Sequence, residues 1–313
     1  MVDFRDEAYN NGAMTWLAKN GCRGRDIGST GDIRWIVITD LDGTLLDHET
    51  YSMESTARTI ELLRLRCIPV VLCSSKTRLE MKLIAVKAGI KNPFVVENGA
   101  AIIFQDGRPP VVLGVPRKDI LRAFQEMRST LGIRARGFSE MTPEDLKTLA
   151  NLEPKQAKMA LEREYSEPFV LYEGQEDKVK LIYNWAVHKG LRILKGGRFF
   201  HLQGMHDKGL AAMEIKTYYQ NIWPQKDLRL IILGDSENDL DMLLVADMPI
   251  LVKRPDGSYV RWPGRKKPYR TRNAGSSGWT EAIEASGILN MDRTRHKERD
   301  GRDLDPEKRI KGD

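Results

Sequence analysis

An apolar run that stops on two acids, Ile36-Val37-Ile38-Thr39-Asp40-Leu41-Asp42-Gly43-Thr44-Leu45-Leu46, constrains this chain more than any other stretch. It reads as a buried strand. Strand geometry repeats every two residues, so Asp40 and Asp42 point to the same side, and Gly43-Thr44 lets the backbone turn sharply above the strand's carboxyl end. In open α/β sheets that edge is where ligands bind. The pattern holds two carboxylates at a dry sheet edge, one suited to nucleophilic attack and one to shuttling a proton. An ordinary Asp-Gly turn after a strand would account for Asp42-Gly43 and leave Asp40 unexplained.

The rest of the chain supplies the sheet. Ser52 to Arg66 reads as a helix with Ile60 and Leu63 on one face, and Ile68 to Cys73 as the next strand, ending in Ser74-Ser75-Lys76. Thr77 to Ala88 is a second helix closed by Gly89, and Phe94-Val95-Val96 a third strand, ending in Glu97-Asn98-Gly99. Strand, helix, strand, helix, strand at this spacing predicts parallel pairing with right-handed crossovers. The same pattern returns late. A helix starts at Asp207-Lys208-Gly209, and the apolar Leu228 to Leu233 ends in Gly234-Asp235-Ser236-Glu237-Asn238-Asp239. Between them lie mixed elements: an amphipathic helix from Lys118 to Leu131, a proline-started helix at Thr142-Pro143, a strand at Phe169 to Tyr172, a helix from Asp177 to Lys189, and a hairpin about Gly196-Gly197.

The expected fold class is therefore α/β, a doubly wound and mainly parallel sheet with an inserted α+β cap. The catalytic core takes 32–107 and 204–289, the cap takes 108–203, and a flexible leader (1–31) and a disordered, mixed-charge tail (290–313) flank them. The chain has 313 residues, enough for one large core and a smaller domain. No window approaches the roughly 18 apolar residues of a membrane span, and the first thirty lack a signal peptide's apolar centre, so the expectation is a cytoplasmic protein without membrane association. Cys22, Cys67 and Cys73 show no metal-type spacing and are expected as reduced thiols, the last two as small buried hydrophobes. The net charge of +6 equals the contribution of one segment, Arg261, Arg265, Lys266, Lys267, Arg270 and Arg272. It reads as a solvated loop or an anion-binding one, and with no groove-reading motif beside it no nucleic-acid partner is expected.

Asp40, Asp42, Ser74, Lys208, Asp235 and Asp239 all fall at strand or helix ends that a doubly wound sheet can gather over one edge. Four carboxylates crowd together only with compensation, which calls for a divalent cation beside the Lys208 ammonium, and oxygen-only ligands favour Mg²⁺ over zinc. Asp40-Leu41-Asp42-Gly43-Thr44, Ser74, Lys208 and Gly234-Asp235-Ser236-x-Asn238-Asp239 resemble the four motifs of the haloacid dehalogenase-like phosphohydrolases, in that family's order. The cap between the second and third motifs is similar to that of the family's Cof-type branch. Within the branch, Leu72 to Thr77, Glu97 to Ile102, Glu164 to Phe169 and Gly196-Gly197-Arg198-Phe199-x-His201 resemble the mannosyl-3-phosphoglycerate phosphatases.

The resemblance implies a Mg²⁺-dependent phosphatase. It makes Asp40 the nucleophile, forming an aspartyl-phosphate, and Asp42 the acid and base. Ser74 and Lys208 steady the phosphoryl group. Asp40, the Asp42 carbonyl and Asp235 hold the metal, with Asp239 and Asn238 behind them. The substrate is expected to be a small phosphorylated glycoside. Ser75, Lys76, Glu97, Asn98, Glu167, Arg198 and His201 are the candidates to bind it, Arg198 and His201 for a glycerate carboxylate, Glu97, Asn98 and Glu167 for sugar hydroxyls. The glucosyl analogue, a broader sugar-phosphate phosphatase, a phosphomutase and a non-catalytic module using the basic loop are the competing readings.

Overall fold

The protein, here a computed structural model, is described over residues 33–47, 52–196 and 199–290. The leader, the tail beyond 290 and Arg198 lie outside the described residues. The strands are β1 (Ile33–Thr39), β2 (Val70–Cys73), β3 (Phe94–Val96), β4 (Ala101–Ile103), β5 (Val111–Val112), β6 (Ala135–Gly137), β7 (Ser166–Leu171), β8 (Leu191–Lys195), β9 (Phe200–Gly204), β10 (Asp227–Gly234), β11 (Met248–Lys253) and β12 (Tyr269–Ala274). The helices are α1 (Glu54–Leu65), α2 (Arg78–Lys87), α3 (Arg117–Leu131), α4 (Pro143–Ala150), α5 (Pro154–Leu161), α6 (Val179–His188), α7 (Lys208–Ile222), α8 (Leu240–Leu244) and α9 (Gly275–Ala285).

Eight strands make one sheet in the order β12-β11-β10-β1-β2-β3-β4-β5. It is parallel from β12 to β3 and antiparallel over β4 and β5. Alternation along β1 sends Val37 into a layer with Ile60 and Leu63 of α1, Met81 of α2 and Trp279 of α9. Ile36 and Ile38 enter the opposite layer with Ala211, Ile215 and Tyr219 of α7 and Met242 of α8. Both faces of the sheet are therefore covered, which is why Ile36, Val37 and Ile38 of β1 and Leu230 to Leu233 of β10 form unbroken apolar runs.

A second sheet, β6-β7-β9-β8, is antiparallel throughout. Ile120, Phe124 and Met127 of α3 and Ile182 and Trp185 of α6 pack on it around Phe169 and Leu202. α4 and α5 close a smaller cluster with Phe138 and Met141. β5 still pairs in the large sheet, so that sheet reaches Val112, past the core boundary expected at 107.

Helix ends follow their local chemistry. Thr77 and Glu80 form a capping box at α2, Thr142 and Asp145 another at α4 with Pro143 in the first turn, and Asp207 caps α7 by accepting from the Leu210 amide at 2.7 Å. Three expectations are corrected. The helix α5 was not anticipated. The basic segment is not all loop, because Tyr269–Ala274 forms the edge strand β12, with Thr271 buried and Arg270 and Arg272 exposed on either side of it. Cys67, expected as a buried thiol, is half-buried with φ 55°, whereas Cys73 is free and buried, its thiol pushed up to about 12 by desolvation.

Candidate active site

Register brings the acids together. Thr39 of β1 lies opposite Leu233 of β10, and the Asp40 amide still donates to the Leu233 carbonyl at 3.0 Å, so the two strands deliver Asp40 and Asp235 to the same sheet edge. Gly43 makes the approach possible. It has φ +77°, and a Cβ there would stand 2.8 Å from Asp235 Oδ2. Thr44 Oγ1, next in the same turn, donates to Asp235 Oδ1 at 3.1 Å.

Lys208, the first residue of α7, is fully buried between two carboxylates. Its Nζ donates to Asp40 Oδ1 at 2.6 Å and to Asp239 Oδ1 at 2.7 Å. Burial alone would lower the lysine's pKa, but Asp239 and Asp40 outweigh it and raise it above the usual value. The remaining oxygen of Asp239 accepts from the amides of Asp235 and Ser236, at 3.1 and 3.0 Å, and from Ser236 Oγ at 2.9 Å. Asp239 is thus fully engaged within the protein, while Asp40 Oδ2 and Asp235 Oδ2 accept nothing from the described residues.

Asp40, Asp235 and Asp239 place ligand oxygens within 4.8 Å of one another. Three carboxylates against one ammonium leave the centre short of positive charge. Burial first, then the Asp239 charge, pushes Asp40 well above the ordinary carboxylate range and Asp235 up to about 7. The all-oxygen, electron-rich pocket fits a hard divalent cation held by Asp235 and by one carboxylate oxygen of Asp40, which leaves the other Asp40 oxygen for chemistry. Asp42 stands beside them with Oδ2 paired to Lys76 Nζ at 2.8 Å and Oδ1 buried without a partner.

The second strand end supplies Ser74, buried, its amide donating to the Val95 carbonyl and its carbonyl accepting from the Asn98 amide at 2.9 Å. Ser74 Oγ accepts from the Lys76 amide at 3.3 Å, which leaves its hydroxyl proton to donate elsewhere. Glu97, Asn98 and Gly99 are three consecutive residues with positive φ, at 46°, 60° and 97°. This left-handed run turns the 97 and 98 side chains in different directions. Gly99 has no substitute there, since a Cβ would lie 2.0 Å from the Asp207 carbonyl oxygen.

Two expected sugar-binding carboxylates are otherwise occupied. Glu97 is fully buried and accepts from the amides of Glu164 and Tyr165 and from Ser166 Oγ, at 2.7, 3.2 and 2.5 Å, so it ties the core to the segment entering β7. Glu167, equally buried, accepts from the Ser139 amide and hydroxyl at 2.8 and 2.6 Å and pairs with Arg117 at 3.1 Å, entirely inside the cap. Both are buried with each oxygen already accepting from the protein, rather than presented to the phosphate edge. His201 is buried in β9 and held neutral by desolvation, with Nδ1 unpartnered.

Contacts that the sequence did not signal join the cap to this edge. Asn238 Nδ2 donates to Asn98 Oδ1 at 3.2 Å, Asn98 Nδ2 to Gln203 Oε1 at 3.4 Å, and Gln203 Nε2 to the His206 carbonyl at 3.2 Å, a chain of amides from the last core motif to the end of β9. Arg192 reaches from β8 to Asp207 and Asp241, at 3.4 and 3.1 Å. Within the core, Arg254 Nε donates to the Asp235 carbonyl at 2.9 Å. Arg163 donates to the Ser75 carbonyl at 2.7 Å. Asn98 and Asn238 belong to the motifs named from the sequence, whereas Arg163, Arg192, Gln203 and Arg254 are isolated polar residues there and only the fold selects them.

Comparison with known proteins agrees with this geometry. Residues 37–173 match the family described as haloacid dehalogenase-like hydrolase. The glucosyl-3-phosphoglycerate/mannosyl-3-phosphoglycerate phosphatase of Persephonella marina is 36% identical over 264 residues, spanning 79% of this chain and 95% of that protein. Its namesake from Methanococcoides burtonii is 34% identical over 266 residues, spanning 80% and 96%. Among solved structures, a haloacid dehalogenase-like hydrolase from Bacteroides thetaiotaomicron superposes with a TM-score of 0.60 at 19% identity, over 81% of this chain and 99% of that one. A Thermotoga maritima protein does so with a TM-score of 0.60 at 17% identity, over 80% and 97%. At those identities the two structures bear on the fold, and the sequence relatives bear on the chemistry. The chain is a phosphoric monoester hydrolase, and it belongs to the glucosyl-3-phosphoglycerate/mannosyl-3-phosphoglycerate phosphatase family of the haloacid dehalogenase-like hydrolases.

Proposed function

We propose that the enzyme hydrolyses the phosphate ester of a glycosyl-3-phosphoglycerate, mannosyl-3-phosphoglycerate in the first instance, through an aspartyl-phosphate on Asp40. The observation that carries this reading is the state of the Asp40 carboxylate. One oxygen is fixed by Lys208 at 2.6 Å, the other is open, and Asp42 rises from the same strand end. An oriented carboxylate with one free oxygen is a nucleophile already aimed.

In the first step the open oxygen of Asp40 bonds to phosphorus as the ester P–O bond breaks, and Asp42 gives its proton to the departing hydroxyl oxygen. In the second, Asp42 takes a proton from a water that attacks the same phosphorus, and Asp40 is released. Lys208 balances the charge on Asp40 in both, and the Ser74 hydroxyl donates to a phosphoryl oxygen. Mg²⁺, which Asp40, the Asp42 carbonyl and Asp235 would hold, neutralises phosphoryl charge when bound. The cap covers the edge and limits the access of competing water.

Phosphate release from mannosyl- and glucosyl-3-phosphoglycerate, measured side by side with Mg²⁺ and with chelator, tests the reading. Release from at least one is expected, lost in Asp40→Asn and in chelator. Activity confined to small sugar phosphates would retain the chemistry and remove the substrate assignment, and a higher rate on the glucosyl ester would make that the substrate.

A further inference from the structure

Arg163 leaves the segment between α5 and β7 and crosses from cap to core. Its Nη1 donates to the Ser75 carbonyl at 2.7 Å and reaches Ser166 Oγ at 3.5 Å, and its Nε donates to the Ala160 carbonyl at 3.2 Å. Its Nη2 has no acceptor among the described residues. Nor does any described carboxylate pair with it, whereas nearby arginines are matched: Arg117 by Glu167, Arg136 by Asp145, Arg192 by Asp207 and Asp241. A half-buried guanidinium loses hydration, and without a carboxylate partner it stands ready for an anion that arrives from outside.

Its surroundings define that anion. Ser75 lies between Ser74, at the phosphate edge, and Lys76, whose ammonium is already on Asp42. One residue step along the chain is about 4 Å, the order of distance between a phosphate ester and an acid group a few bonds away on the same small molecule. On the cap side His201 lies close enough for the Arg163 charge to help hold it neutral, and its Nδ1 is buried without a partner. With Nε and Nη1 donating within the protein, the Nη2 protons are left to donate to a carboxylate oxygen, and the phosphoryl position is already served by Asp40, Lys208 and Ser74.

We propose that Arg163, seated on the Ser75 carbonyl, reads the carboxylate of a phosphorylated hydroxy-acid substrate and so sets specificity from the cap. The inference rests on the substrate class proposed above and assigns the residue that recognises it. Arg163 touches substrate only when the cap lies on the core, so recognition of the carboxylate and closure of the site are one event.

The test uses p-nitrophenyl phosphate as the reporter and compares inhibition by 3-phosphoglycerate with inhibition by glycerol 3-phosphate, which has the same phosphate and lacks the carboxylate. The wild-type enzyme is expected to bind 3-phosphoglycerate at least tenfold more tightly. A charge-assisted hydrogen bond of ordinary strength corresponds to about 10- to 100-fold in affinity, so Arg163→Gln should weaken 3-phosphoglycerate by that factor and glycerol 3-phosphate by no more than a few-fold. Arg163→Lys keeps the charge but cannot hold the Ser75 carbonyl and donate to the substrate from separate nitrogens, and should fall between; it carries the test alone if the glutamine variant does not fold. Equal weakening of both inhibitors marks a purely structural arginine and overturns the proposal, as does a wild-type enzyme that does not discriminate between them. Failure to hydrolyse either phosphoglycerate glycoside would fall on the substrate assignment instead, and the inhibitor ratio would still decide the role of Arg163.

Discussion

Lys208 holds the centre together, and its removal separates charge balance from packing. Fully buried, it neutralises Asp40 and Asp239 at 2.6 and 2.7 Å. Lys208→Met would leave both carboxyls without their cation. Breaking a buried pair from one side costs roughly 3–5 kcal/mol when the orphaned charge stays ionised. Acid protonates the orphaned carboxyls and relieves the cost, so urea unfolding in chelator should show a deficit near 3 kcal/mol at pH 8 and a clearly smaller one at pH 5. A deficit equal at both values would mean that shape, not charge, fixes the lysine. Glu97 shows the opposite limit of reading single residues. Its place after a strand was visible, but its use was not. Whether a carboxylate there faces a ligand or the cap depends on a left-handed turn of φ 46°. Such a turn costs on the order of 1 kcal/mol for a non-glycine residue, and here three hydrogen bonds to 164–166 offset it.

Among the elements, α2 has a double role. Thr77 closes its first turn through the capping box with Glu80, and the same hydroxyl lies 2.9 Å from the Met159 carbonyl at the end of α5. Thr77→Ala should therefore cost about 1 kcal/mol as a lost cap, read as a lower urea midpoint with unchanged slope. It should also loosen the cap where it rests on the core, read as faster amide exchange in α5; no change there would confine Thr77 to its own helix. The strand ends were legible because β1 and β10 are apolar runs covered on both faces and cut off by acids, and period-2 geometry then leaves little choice about where Asp40, Asp42 and Asp235 go. Lys208 and Asp239 followed from the same edge. α5 is eight residues long with two buried alanines and too little apolar pattern to announce itself. In β12 only Thr271 is fully buried, and its arginines disguised a strand as a charge run. Arg163, between Glu162 and Glu164, stands in a charged run that gives it no distinguishing pattern.

For the molecule as a whole, the unbalanced carboxylates couple stability to pH and to the cation. Asp235 in the folded protein titrates at about 7, far above its ordinary 3.8, and Asp40 is raised as well. A carboxyl whose folded pKa is raised binds its proton more tightly when folded. Its contribution is complete below about 4 and is lost as pH climbs through about 7. Metal-free enzyme should thus lose stability from these groups over that range. A bound divalent cation favours the ionised form and reverses the trend. The gain in thermal stability from adding Mg²⁺ to chelator-treated protein should be larger at pH 8 than at pH 5, by about 2–3 kcal/mol if Mg²⁺ at pH 8 stands near a hundred times its dissociation constant. A gain that is larger at pH 5 would contradict the assignment of these carboxylates to the cation.

The pairing of β1 with β10 joins Ile33 to Asp227 across nearly two hundred residues of intervening chain. A chain emerging from the ribosome shows Asp40 early and the whole cap well before β10. Until residues 227–239 appear, β1 has one edge unpaired, Lys208 lacks Asp239, and the open oxygen of Asp40 has no Asp235 beside it. A nascent or prematurely terminated chain therefore exposes an apolar strand edge while it has no complete centre, which makes it prone to aggregation and unable to turn over substrate. The enzyme gains its activity only once synthesis has passed Asp239.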